Sequence, residues 1–189
     1  MAGASEEIND QNIDEYHQCW LVGILHDNKE HDPILFSERI DYVLKDLFPN
    51  EQQAIKKYID ILTSDKTLNK GQQKKAQIMK ADQMDLVPSW IILFDKYDNC
   101  RRFKINPVGK SKEELDGYYA VAYMIYLKVC RKHKKIREFM PVVIRSFYDQ
   151  MGVELGGEEK AVAIAEKYCS KYWSVVAWSI KSSVPAQTV

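Results

Sequence analysis

The chain is 189 residues long, 46% hydrophobic and 11% aromatic, enough apolar side chain to build a core and too much for disorder throughout. Its 27 basic and 27 acidic residues sum to zero net charge, which by itself points to no polyanionic partner. The N-terminal MAGASEEINDQNIDEY is acidic and lacks an apolar stretch, and no run reaches the roughly 18 apolar residues that span a bilayer, so neither a secretory signal nor a membrane span is expected. The expected setting is cytoplasmic, inside a reducing cell compartment, with Cys19, Cys100, Cys130 and Cys169 as free thiols. They lie far apart, form no CxxC pair and lack metal-ligand spacing.

Residues 1–9 read as a short flexible arm. In NIDEYHQCWLVGIL, 12–25, apolar side chains at 13, 16, 20, 21 and 24 make a helical stripe. HDNKEHD, 26–32, reads as a loop that ends in Asp32 as an N-cap, with Pro33 at the first helical position. PILFSERIDYVLKDLF then sets Leu35, Phe36, Ile40, Val43, Leu44, Leu47 and Phe48 on one side. Pro49-Asn50 ends that helix and opens EQQAIKKYIDIL, and the polar link TSDKTLNKG leads to a helix in QQKKAQIMKADQMDL. VPSWIILFDKY, from Val87, fits a short buried strand or a helix opened by a proline. NCRRFKINPVGK, punctuated by Pro107 and Gly109, reads as irregular.

Ser111 and Glu114 form a capping box that opens the longest helix, KEELDGYYAVAYMIYLKVCRKHKK. That helix is expected to kink or end near Pro141, which has no amide hydrogen to donate. PVVIRSFYDQM stops at Gly152 as a C-terminal glycine, and a last helix, EEKAVAIAEKYCSKYWSVVAWSIK, follows Gly156-Gly157. The expected fold is all-α: a single-domain bundle of about seven or eight helices over 10–182, with a tail at 183–189. Two stretches, 118–127 and 172–180, are apolar on nearly every face, so each is either central or covered by a partner. Tyr172, Trp173 and Trp178 in the second are the expected self-association residues, because aromatics are enriched in interface cores.

The neutral total hides a sorted chain. Residues 1–60 carry 13 acidic and 5 basic side chains, 61–139 carry 9 and 17, and 140–189 carry 5 and 5. Within the basic middle, KVCRKHKKIREF holds six cations and His133 in twelve residues, with Lys128, Arg131, Lys132 and Lys135 on one helical face. The helix dipole favours cations in a last turn and accounts for two or three of them, but not for six. Arg101, Arg102, Lys104 and Lys110 surround Phe103, a pattern suited to stacking a base while cations hold phosphates. Lys74, Lys75 and Lys80, with Lys70, make a third basic group.

Catalytic patterns are weak. His26, Asp27, Glu30, His31 and Asp32 crowd together, but the two histidines are five apart and share no helical face. DKTLNKG imitates a calcium loop only faintly, and no GxxxxGK, GxGxxG or GxSxG motif occurs. No catalytic residue, metal or cofactor is expected. The expected function is sequence-tolerant nucleic-acid binding, RNA preferred, by a protein that associates into a homo-oligomer as a coat (capsid) or nucleoprotein subunit does. The alternative is a protein–protein interaction module, an adaptor or host-factor antagonist, that uses an apolar surface near the C-terminal helix.

Overall fold

The computed structural model describes residues 10–170 apart from Val108, with side chains described from His17 onward. The described residues form nine helices and no strand: α1 Asp10–His31, α2 Pro33–Leu44, α3 Pro49–Leu62, α4 Lys70–Lys80, α5 Leu86–Ile105, α6 Lys112–Lys132, α7 Lys134–Phe139, α8 Val142–Glu154 and α9 Glu158–Ser170. The fold is all-α, as the periodicity implied. Local chemistry sets most boundaries. Asp32 accepts the Leu35 amide at 2.9 Å and Ser111 accepts the Glu114 amide at 3.2 Å, so both predicted caps are made. Asn69 and Gln72 exchange side-chain bonds of 2.9 Å at the start of α4, a capping box the sequence reading passed over.

Four elements differ from their sequence reading, each for a stated reason. HDNKEHD is the last two turns of α1, and not a loop. His26 Nδ1 turns back to the carbonyls of Val22 and Gly23, Lys29 pairs with Asp60, and Glu30 accepts the Ser64 amide at 2.9 Å, so α3 and the chain beyond it hold this polar segment helical. The segment 99–105 is helix rather than irregular chain, because Asp98 pairs one and two positions into the next turn with Arg101 and Arg102 and Cys100 continues the buried face. Gly152 is buried inside α8. The turn glycine is Gly156, at φ 83°, and the Gly157 amide donates to Gly152 while the Gly156 amide donates to Val153. Finally, α6 stops at His133, well short of Pro141.

Two apolar stripes also needed correction. On α1, Val22 and Leu25 are buried while Trp20 and Ile24 face outward. On α2 only Ile40 and Leu44 are buried, and Leu35 and Val43 are exposed, as is Phe48 ahead of α3, because α2 rests chiefly on α1 and covers little else.

Packing converges on α6. Ala120, Val121, Ala122, Met124, Ile125, Tyr126 and Val129 are all buried, and α4, α5, α7, α8 and α9 each touch this helix. The stretch 118–127, apolar on every side, is therefore the central one. Close approach to α9 depends on Gly117, where a Cβ would fall 2.3 Å from the Tyr168 ring. Tyr126 and Tyr148 stack at 4.5 Å between α6 and α8, and the buried Tyr148 hydroxyl donates to the Leu93 carbonyl at 2.7 Å. Helix α1 packs on α3 and α5, and these form the second half of the bundle.

Candidate nucleic-acid interface

The end of α6 meets the α4–α5 turn. His133 leaves the helical conformation at φ −114° and ψ 84°, and its Nε2–H donates to the Met84 carbonyl at 2.8 Å. Lys128 reaches Asp82 in the same turn at 2.9 Å. These two bonds pin residues 128–133 to residues 82–84, and Lys80 lies just before that turn. The chain then restarts as α7, which carries Lys134 and Lys135. The result is a corner where Lys132, Lys134 and Lys135 are exposed, while Lys80 lies along α3 with Lys56, Lys57 and Asp60. Among the described residues, none of the three corner lysines has a carboxylate within 4.0 Å.

The rest of the basic stretch is partnered. Arg131 pairs with Glu158 at 2.5 Å and Arg137 lies 3.6 Å from Asp149, so acids distant in sequence offset repulsion that no local acid offsets. His133, read from sequence as part of the cationic surface, turns its ring inward to Met84. Exposed pairs of this kind are worth about 0–1 kcal/mol, so a phosphate can displace either carboxylate at small cost.

The other predicted residues lie elsewhere. Phe103, Arg101, Arg102, Lys104 and Lys110 surround the opposite end of α6. Phe103 meets Tyr118 edge-to-face at 5.1 Å, and Tyr118 and Lys132 are fourteen residues apart, about 20 Å along the helix axis. Lys104 pairs with Glu154 at 2.8 Å and Arg102 with Asp98 at 2.7 Å. Lys110 Nζ sits 4.9 Å from the Phe103 ring centre, occupying a face that a base would need. Lys74 and Lys75 are half-buried on α4, with Lys74 turned toward Tyr118. The three basic groups of the sequence thus do not form one surface: one lies at each end of α6, and Lys74 turns into the cavity at the Tyr118 end. Tyr172, Trp173 and Trp178 lie outside the described residues.

Two site residues escaped the sequence reading. Phe139, 73% exposed, stands one helical turn from Lys135, so the aromatic beside the lysine corner is Phe139 rather than Phe103. Lys96 is 5% exposed and shares a face with Ile92 and Cys100, a spacing of four that marks it as inward-facing.

Among the described residues, no group of three His, Cys, Asp or Glu side chains is placed to hold a metal ion, and no helix is long and apolar enough to cross a membrane. Burial pushes the thiols of Cys130 and Cys169 up to about 11 and that of Cys100 up to about 12, away from nucleophilic use. The described residues thus form an all-helical domain with an open lysine corner. No protein-family model, curated protein or solved structure matches it.

Proposed function

We propose that the protein binds single-stranded nucleic acid, RNA in preference to DNA, through the corner of Lys132, Lys134 and Lys135, and that copies associate along the strand as coat or nucleoprotein subunits do. One observation carries this reading: three exposed lysines from two elements flank a helix break, none with a carboxylate in reach among the described residues. Binding draws its free energy from counterions released as lysines neutralise phosphates, so it falls linearly with the logarithm of salt. Phe139 offers a ring face to an unpaired base beside them, a contact worth about 1–3 kcal/mol per base.

The test is a salt titration with a short labelled single-stranded RNA. Lys132→Glu, Lys134→Glu and Lys135→Glu combined should weaken binding and flatten the salt slope by two to three phosphate contacts, while Phe139→Ala should weaken it without changing the slope. Unchanged affinity in the triple variant sinks the reading.

A second reading, a protein–protein interaction module, is favoured by a different observation. A groove of about 780 Å³ between α1 and α5 is walled by Trp20, Leu86, Trp90, Phe94 and Phe139, with Trp20 61% exposed. Open apolar surface of this kind is a common mark of a protein contact.

A further inference from the structure

Away from the lysine corner, a cavity of about 350 Å³ opens between α1, α4 and α5, and its wall is almost entirely polar. Three cations face it: Lys74 from α4, and Lys96 and Arg102 from α5. Most of the charge in the wall is already paired. Lys96 Nζ lies 2.8 Å from Asp95, which also accepts from Asn99 at 2.7 Å. Asp98 holds Arg102 at 2.7 Å, Asp27 faces His26 at 3.2 Å, and Glu30 accepts the Ser64 amide.

Lys74 is the exception. Its ammonium has three hydrogens to donate, and its contacts are the Gln77 amide oxygen at 3.5 Å and the Tyr118 ring, 5.5 Å from the centroid. A charge withdrawn from water without a counter-charge is costly. Burial, then the like charge of Lys96, push Lys74 down to about 8, against the opposing pull of Asp95 and Glu30, neither of which comes within ion-pair distance of the ammonium.

We propose that this cavity binds a phosphorylated sugar, its phosphate held by Lys74 and Arg102 and its hydroxyl groups donating to the carboxylates around them. Three features select that class. Lys74 supplies a positive charge that no carboxylate contacts directly, and Arg102 is 72% exposed at the side chain and gives up a surface pair with Asp98 at little cost. Asp27, Asp95 and Asp98 repel a bare polyanion but accept hydrogen bonds from hydroxyls. The wall offers almost no apolar face, so a nucleobase or a hydrocarbon chain gains nothing by entering. The same chemistry occurs in a free sugar phosphate and in the 5′-phosphorylated ribose at the end of a strand. The proposal does not rest on the lysine corner.

The experiment titrates the full chain with ribose 5-phosphate, with ribose and with inorganic phosphate, following thermal unfolding and the side-chain NMR signal of the lysine that titrates lowest. Ribose 5-phosphate should raise the melting temperature and move that lysine's titration upward by a unit or more, and ribose alone should do neither. Lys74→Gln should lower the affinity at least tenfold and Lys74→Arg should retain it, with circular dichroism confirming that both fold. An unmoved lysine signal, or full binding by Lys74→Gln, overturns the proposal. A 5′-phosphorylated oligonucleotide and its 5′-hydroxyl counterpart are then compared in the Lys132→Glu, Lys134→Glu, Lys135→Glu background. Competition by the first alone assigns the site to strand ends, and competition by neither assigns it to a free sugar phosphate. Because the lysine signal is read without RNA, failure here and failure of the lysine corner are separate results.

Discussion

Lys74 ties a single side chain to the pH dependence of the whole fold. Its folded pKa, about 8, lies below the ordinary 10.5, so between those values the unfolded chain binds more protons than the folded one. The penalty for burying the ammonium is full below about pH 8 and is relieved as pH rises toward 10.5. The buried thiols act with the opposite sign: their folded values are raised from 9.0, so the stability they give is lost above pH 9. The difference between wild type and Lys74→Met removes Cys100 and Cys130 from the comparison and leaves only the part of the Cys169 shift that Lys74 itself sets. That variant should be the more stable at pH 7, with its advantage shrinking steadily to pH 10 in urea unfolding curves. A constant difference across that range would show that Lys74 carries no such penalty. Gly117 is the other residue whose identity the packing dictates. A methyl group there meets the root of the Tyr168 ring rather than a flexible end, with Cβ of Tyr168 at 2.6 Å. Gly117→Ala should therefore cost about 1–3 kcal/mol by overpacking, read as a lower denaturation midpoint, although alanine is the better helix former.

At the scale of the element, what could be read from sequence was local chemistry. Asp32-Pro33, Pro49 and the Ser111–Glu114 box each start a helix within reach of their own side chains, and they were legible for that reason. The misread elements depend on distant partners. HDNKEHD stays helical through bonds to Asp60 and Ser64, and α6 ends at His133 because an imidazole finds the Met84 carbonyl 49 positions away. Nothing within a few residues of either segment announces this. Replacing His133 by Ala should remove that bond and cost about 1 kcal/mol. It should also loosen the corner, giving faster amide exchange across α7 than in wild type. Unchanged exchange there would mean that packing of Ile136 and Met140 alone sets the break.

At the scale of the molecule, the sorted charges were legible and their spatial meaning was not. The acidic first third spends Asp41, Asp60 and Glu30 on its own Lys56 and Lys29 and on Lys66 nearby, and leaves Lys132, Lys134 and Lys135 uncovered among the described residues. What does cover the basic stretch comes from Asp82, Asp149 and Glu158. Periodicity could order the helices but could not say that Lys74 faces inward, because α4 must serve both α6 and α9. The groove between α1 and α5 was hidden for the same reason: Trp20 and Phe94 look like core residues until the neighbours that would bury them fail to arrive. If that groove joins copies, Trp20→Ala with Phe94→Ala should shift sedimentation velocity toward a smaller species while RNA affinity at the monomer level holds. A wild type that sediments as a monomer at all concentrations removes the self-association half of the proposed function.

The contact between α6 and α9, the most extensive among the described helix pairs, has a consequence for how the chain is made. The ribosome delivers the central helix well before the one that covers it. Until α9 emerges, the small-residue face around Gly117 is bare, and the nascent protein carries an open apolar seam. Synthesis rather than the finished fold is then the stage at which this seam stands open to water.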